Sequence, residues 1–98
     1  MADRFRVTLA QLNPTVGDLV GNAAKARAAW AEGRKAGADL VALPEMFLTG
    51  YNTQDLVMRP VFQQAALAAA EQLAQDCADG PALAIGCPWV DGDKLFNA

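Results

Sequence analysis

The chain has 98 residues, which allows one small domain at most. Hydrophobic residues make up 53% of it, and much of that fraction is alanine, which is typical of helices that pack closely on a sheet. The formal net charge is −3 without any histidine, and the eight Lys and Arg residues are scattered, so composition argues against a nucleic-acid partner.

The N-terminus, "MADRFRVTLAQLNP", has neither the positive n-region nor the apolar core of a signal peptide. No apolar run approaches the ~20 residues that a membrane-spanning helix needs. We therefore expect a cytoplasmic protein with no membrane partner. Cys77 and Cys87 lie in apolar surroundings without CxxC spacing, which predicts two buried thiols and indicates neither a metal site nor a disulfide.

The first half of the chain predicts a strand, a helix and a second strand. Phe5, Val7 and Leu9 alternate with Arg6, Thr8 and Ala10, as in a strand that continues to about Leu12. The alanine-rich stretch 22–36, with its interspersed charges, predicts an amphipathic helix that Gly37 ends, although Gly33 weakens it. The run "ADLVALP" predicts a strand that is buried on both faces.

The second half predicts a helix, a strand and a hairpin. The helix begins near Pro60, because proline is tolerated in a first turn, and continues to about Ala78. One stripe of this helix is apolar and should face the core: Phe62, Ala66, Ala69, Leu73 and Cys77. "PALAIGCP" predicts a third buried strand, and Asp91-Gly92 predicts the turn that leads into the strand "KLFNA". The order is that of an α/β fold with helices covering a sheet.

Glu45 follows the second predicted strand in "ALPEMFLTGY". A charge beside a buried strand is costly unless it is solvated, paired or used in chemistry. One interpretation is that Pro44-Glu45 marks where the strand reaches solvent. The other is that Glu45 is a general base at the carboxyl end of a strand, with Met46, Phe47 and Leu48 as an apolar wall beside it. Serine, histidine and a glycine-rich phosphate loop are all missing from the sequence, so it offers no competing site.

Three segments of the chain resemble a known family: "LAQLNPTVGDLVGN", "GADLVALPEMFLTGY" and "DLVMRP". They are similar to the nitrilase-like carbon-nitrogen hydrolases, in particular to the N-terminal glutaminase domain of glutamine-dependent NAD+ synthetases. The resemblance implies an αββα sandwich, of which residues 1–98 form a partial, truncated domain. It also implies a Glu-Lys-Cys triad, with Glu45 as the general base toward a cysteine nucleophile.

The resemblance places the triad lysine and cysteine outside these residues. Lys94 precedes the segment after which the family lysine lies, and Cys87 stands in the wrong context for the nucleophile. We therefore expect the 98-residue chain to be inactive by itself. Tyr51 resembles a family tyrosine near the triad and could shape the glutamine pocket, but a half-buried turn tyrosine is an equal alternative. Phe47 is a weaker pocket candidate, and Asp55 and Arg59 are expected only to pair across a helical turn.

The resemblance further implies that glutamine is the substrate and that the ammonia passes to a C-terminal synthetase domain. There ATP and Mg²⁺ would activate nicotinic acid adenine dinucleotide for conversion to NAD+, so these residues themselves are expected to hold no cofactor and no metal. The full-length parent is expected to be a homo-oligomer. Two alternatives stay open: a stand-alone amidase of the same superfamily that acts on a small amide, and a structural or interaction piece without activity.

Overall fold

Helices and strands alternate along the chain in the computed structural model, which describes residues 3–98. The elements are β1 (Val7–Leu9), α1 (Leu19–Lys35), β2 (Leu40–Ala42), a short 3₁₀ helix (Gln54–Met58), α2 (Pro60–Asp76), β3 (Ala82–Ala84), β4 (Pro88–Asp91) and β5 (Lys94–Asn97). The predicted order of strands and helices is confirmed. The 3₁₀ helix is an addition to it, and the predicted strand "PALAIGCP" is divided between β3 and the start of β4.

The strands form a parallel sheet and a separate hairpin. β2 lies between β1 and β3, with Val7 opposite Leu40 and Leu40 opposite Ala82. β4 and β5 pair antiparallel around Gly92, whose φ of 64° suits the predicted turn. The fold is therefore of the α/β class with a parallel sheet, as the sequence predicts.

The ends of the elements have local causes. α1 begins at Leu19 rather than Asn22 because the Asp18 carboxylate caps it, accepting a hydrogen bond from the Gly21 N–H at 2.9 Å. β1 ends well before Leu12: the Ala10 N–H still donates to the Ala42 carbonyl at 2.9 Å, but the next bond would need an N–H from Pro44. Proline has none, so the β1–β2 ladder stops there.

Both helices pack on one face of the parallel sheet. Gly33 belongs to this packing, because a Cβ at that position would overlap the Val41 side chain of β2. Gly33 has a low helix propensity, but its lack of a side chain lets α1 approach the sheet closely. The core consists of buried side chains from α1, α2 and the loops after β2 and β3: Ala23, Ala26, Phe47, Leu48, Leu73 and Cys87. In the predicted stripe of α2, Ala66 and Leu73 are buried, while Ala69 and Cys77 pack against the core.

The opposite face of the sheet is apolar and is left open by residues 3–98. Val7 and Leu9 of β1 point to it and are exposed, as is Phe5. In β2, Val41 is buried while Leu40 and Ala42 are only half-buried, so burial of this strand on both faces, which the sequence predicts, is wrong for the described residues. No helix in the described part of the chain is long and apolar enough to cross a membrane.

Candidate functional site

Glu45 lies just beyond the carboxyl end of β2, where the chain leaves the sheet. The Leu43 N–H donates to the Ala84 carbonyl at 2.8 Å, which prolongs the pairing with β3 to the edge of the sheet. Pro44 then begins a turn in which the Phe47 N–H donates to the Pro44 carbonyl at 3.3 Å, and Met46 adopts a positive φ of 53°. This turn leaves Glu45 exposed, while Phe47 and Leu48 lie in the core.

The loop that follows Glu45 is fixed by the loop between β1 and α1. Asn22, which is fully buried, donates from Nδ2 to the Leu48 carbonyl at 3.0 Å and to the Thr15 carbonyl at 2.8 Å. Its Oδ1 accepts from the Thr15 N–H at 2.8 Å. The Gly17 N–H also donates to the Thr49 carbonyl at 2.9 Å. The segments "NPTVGDLVGN" and "EMFLTGY" therefore interlock, which gives a physical reason for their occurring together.

Gly86 packs against the backbone of Glu45 and Met46. A Cβ on Gly86 would overlap the Met46 nitrogen and would lie 2.9 Å from the Glu45 Cα. The Leu48 N–H donates to the Gly86 carbonyl at 3.1 Å, so the two segments run in contact. Any side chain at this position would push the Glu45 turn away from the end of β3, because these distances are shorter than van der Waals contact.

Asn97, at the end of β5, contacts the Glu45 carboxylate. Its Nδ2 donates to Glu45 Oε1 at 2.5 Å. The backbone of Asn97 is held in register opposite Pro88, and Cys87 and Ala98 exchange two backbone hydrogen bonds of 2.9 and 3.0 Å next to it. The hairpin therefore delivers this amide to the carboxyl end of β2 from a part of the sequence 52 residues away.

A cavity of about 280 Å³ opens beside this pair. It lies between the loop after Glu45, the 3₁₀ helix and the hairpin, and its lining residues are Met46, Tyr51, Asn52, Thr53, Gln54, Val57, Pro88, Leu95, Phe96 and Asn97. The lining mixes apolar side chains with amide and hydroxyl groups, which is the composition of a pocket for a small polar ligand.

The structure places the three candidate site residues, Glu45, Tyr51 and Phe47, in different surroundings. Glu45 is not itself a lining residue, but it is bonded to Asn97 and precedes Met46, and both of these line the cavity. Tyr51 lines the cavity and is 72% exposed. Phe47 is fully buried in the core and is not among the residues that line the cavity. Asp55 and Arg59 form no ion pair in the structure of residues 3–98; the ion pairs there are Arg27–Asp76 and Arg34–Asp79.

Neither cysteine is among the residues that line the cavity. Burial raises the pKa of the Cys87 thiol, and burial together with the charge of Asp76 raises the pKa of the Cys77 thiol, the nearby Arg27 opposing this in part. A raised pKa keeps both groups as thiols, whereas the thiolate is the reactive form. Among the described residues no three His, Cys, Asp or Glu side chains come together as metal ligands.

The sequence alone does not single out Asn22, Gly86 or Asn97. Asn22 is the last residue of the segment "LAQLNPTVGDLVGN". Its residue type was a signal of a special role, because asparagine is uncommon on the buried side of a helix. Gly86 and Asn97 carry no comparable signal, since their importance arises from a contact with Glu45 that only the packing of β3 and the hairpin creates.

Comparison with known proteins assigns this arrangement to a family. Residues 6–98 match the family model described as carbon-nitrogen hydrolase. The chain belongs to the carbon-nitrogen hydrolase family. The glutamine-dependent NAD(+) synthetase of Rhodobacter capsulatus is 66% identical to it over 98 residues, which are 100% of this chain and 18% of that relative. The predicted resemblance to the N-terminal part of such synthetases is thereby confirmed.

Solved structures of the family also share the fold. A glutamine-dependent NAD+ synthetase from Acinetobacter baumannii, in complex with adenosine diphosphate, matches with a TM-score of 0.79 and 25% identity over 95% of this chain and 18% of that chain. An amidase from Nesterenkonia sp. matches with a TM-score of 0.80 and 27% identity over 90% of this chain and 34% of that chain. This carbon-nitrogen hydrolase chain thus spans 18% of the length of each of these two synthetases.

Proposed function

We propose that residues 1–98 are part of the glutaminase domain of a glutamine-dependent NAD+ synthetase and that Glu45 is the general base of its glutaminase reaction. The observation that carries the proposal is the position of Glu45, exposed at the carboxyl end of β2, held by Asn97 and adjacent to a cavity of about 280 Å³. A carboxylate in this position can take a proton from a group that approaches over the cavity.

In the proposed reaction, Glu45 accepts the thiol proton of a cysteine that lies outside these residues. The thiolate attacks the side-chain amide carbon of glutamine, and a lysine, also outside these residues, stabilises the negative charge that develops on the amide oxygen. Glu45 returns the proton to the leaving nitrogen, which departs as ammonia. Water then attacks the thioester carbon while Glu45 accepts one of its protons. The carbon–sulfur bond breaks, glutamate leaves, and the proton returns from Glu45 to the cysteine sulfur.

Tyr51 is proposed to line the glutamine pocket because it is exposed on the cavity wall. Ammonia is proposed to pass to a synthetase domain, where ATP and Mg²⁺ activate nicotinic acid adenine dinucleotide. The supporting observation for the nucleotide is that the synthetase of A. baumannii has been solved in complex with adenosine diphosphate. Because neither Cys77 nor Cys87 is among the residues that line the cavity, the 98 residues alone should not hydrolyse glutamine.

An amidase acting on a small amide is the second candidate, since the Nesterenkonia amidase matches with a TM-score of 0.80. The same Glu45 chemistry would serve it. The synthetase is favoured because identity to the R. capsulatus synthetase is 66% over the whole chain, against 27% to the amidase.

The test is Glu45→Gln in the full-length synthetase. This change keeps the shape of the side chain and removes its ability to accept a proton, so glutamine-dependent synthesis of NAD+ should fall about 100-fold or more. Synthesis from added ammonia should be unchanged, because free ammonia does not need the glutaminase step. Glu71→Gln, the same substitution at an exposed position of α2, is the matched control and should leave both rates unchanged.

The two rates distinguish the possible outcomes. An equal fall in both would assign Glu45 a structural role. An unchanged glutamine-dependent rate would contradict the general-base assignment. If the full-length protein makes no NAD+ from either nitrogen source but hydrolyses small amides, the amidase is the correct function.

A further inference from the structure

We infer that Asn97 is a positioning residue for Glu45: its side-chain amide holds the carboxylate in the orientation in which it accepts the proton. The inference rests on the proposed role of Glu45. Its direct basis is the hydrogen bond from Asn97 Nδ2 to Glu45 Oε1 at 2.5 Å.

The hydrogen bond has the polarity that this role requires. An ionised carboxylate only accepts hydrogen bonds, and the amide NH₂ of asparagine only donates them. Asn97 therefore bonds the form of Glu45 that can act as a base. The bond occupies Oε1, which leaves Oε2 to receive the proton.

The backbone that carries Asn97 is fixed on both strands of the hairpin. Asn97 stands opposite Pro88 in the β4–β5 ladder, and the Cys87–Ala98 pair next to it makes two backbone hydrogen bonds. Cys87 is itself buried in the core, so the end of the hairpin is anchored to the body of the fold. A side chain on such a backbone loses little conformational freedom when it binds, and it can hold a partner in a defined orientation.

The side chain of Glu45, unlike its backbone, has few constraints of its own. Glu45 is exposed to solvent, although the Met46 next to it is buried. A glutamate side chain has several rotatable bonds, so without a partner it would occupy several rotamers. Asn97 supplies the partner, and this is why its loss should reduce the fraction of Glu45 in the productive orientation.

The experiment compares three substitutions of Asn97 in the full-length synthetase by glutamine-dependent activity. Asn97→Gln keeps the donor on a longer side chain and should retain the most activity. Asn97→Ala removes the donor and should lower kcat about 10-fold with little change in KM, because orientation and not glutamine binding is lost. Asn97→Asp replaces the donor by a second negative charge beside Glu45 and should be the least active.

This order separates positioning from a packing role. Aspartate is nearly isosteric with asparagine, so if Asn97 only filled space, Asn97→Asp would be more active than Asn97→Ala. That reversed order, or a change confined to KM, would overturn the inference. Asn13→Asp, the same substitution at an exposed position between β1 and α1, is the matched control and should leave kcat unchanged. Ammonia-dependent synthesis should be unaffected in every variant.

Combining the substitutions tests whether Asn97 acts through Glu45. In a Glu45→Gln background, Asn97→Ala should cause no further loss of activity, because the group that it positions no longer accepts a proton. Additive losses would mean that Asn97 acts independently of Glu45 and would contradict the inference. If Glu45→Gln leaves glutamine-dependent activity intact, the proposed function fails. If Glu45→Gln loses this activity but all the Asn97 variants keep the wild-type rate, only the positioning role fails.

Discussion

At the scale of single residues, the loop beyond Glu45 depends on one buried amide. Asn22 makes three hydrogen bonds from a fully buried position on α1, and they join the loop before that helix to the Leu48 carbonyl. A buried amide is costly unless its donors and acceptor are all paired, and here they are. This side chain therefore holds two loops in one arrangement.

We predict that Asn22→Ala loosens this arrangement. The substitution leaves the Leu48 carbonyl and both backbone groups of Thr15 without their partner. A local loss of about 2 kcal/mol would make amide exchange in the segment 45–53 roughly 30-fold faster. Hydrogen exchange followed by mass spectrometry on the full-length protein measures this. Asn13→Ala is the control, and equal exchange in the two variants would show that Asn22 does not hold the loop.

At the scale of the elements, the two helices are joined by an ion pair on their exposed side. Arg27 of α1 donates from Nε to Asp76 Oδ2 at 2.6 Å, at the last residue of α2. The Gln72 side chain also donates to Asp76 at 3.0 Å, and these bonds, first that of Gln72 and then that of Arg27, hold the pKa of the Asp76 carboxyl below its usual range. The carboxylate form of Asp76 is thus favoured in the folded state.

We predict a pH dependence from this shift. Because the pKa of Asp76 is lower in the folded chain than in the unfolded one, its stabilising effect is complete above the ordinary value of about 4 and is lost as the pH falls through the folded value. Asp76→Asn should therefore lower the Tm slightly at pH 7, and the difference from the wild type should be smaller at pH 3.

The matched control is Asp79→Asn. Asp79 accepts from Arg34 at 3.4 Å and is almost fully exposed, so its removal should change the Tm less than that of Asp76 at pH 7. The measurement is thermal unfolding of the three proteins at both pH values. A difference between wild type and Asp76→Asn that persists unchanged to pH 3 would contradict the predicted linkage.

At the scale of the whole molecule, the parallel sheet has one covered and one open face in residues 3–98. α1 and α2 lie on the side of Val41, whereas Phe5, Val7 and Leu9 stand on the other side and are exposed. Three large apolar side chains in a row form a patch that favours association in water.

We predict that the 98-residue chain associates through this face. Leu9, which is 72% exposed, lies within the apolar row, so Leu9→Lys should shift the chain toward the monomer in sedimentation velocity over a range of concentrations. Val61 is 84% exposed on α2, away from the sheet, and Val61→Lys should leave the association unchanged. A wild-type chain that stays monomeric at all concentrations would show that this face does not mediate association.

Much of the fold could be predicted because its signals are local. The alternation around Val7, the alanine-rich helices, Pro60 at the start of α2 and the Asp91-Gly92 turn each act within a few residues, and the structure confirms the elements that they predict. The position of Glu45 after a strand is equally local, which is why the sequence nominates it as a site residue.

Only the tertiary structure decided what surrounds Glu45. Asn97 reaches it from 52 residues away through the register of a hairpin, and Gly86 approaches it because β3 lies beside β2. The same packing placed Phe47 in the core and Tyr51 on the cavity wall, although both stand in the same short motif. Sequence patterns report periodicity and local geometry, whereas contacts between distant segments depend on how the elements pack, and in this chain those contacts define the site.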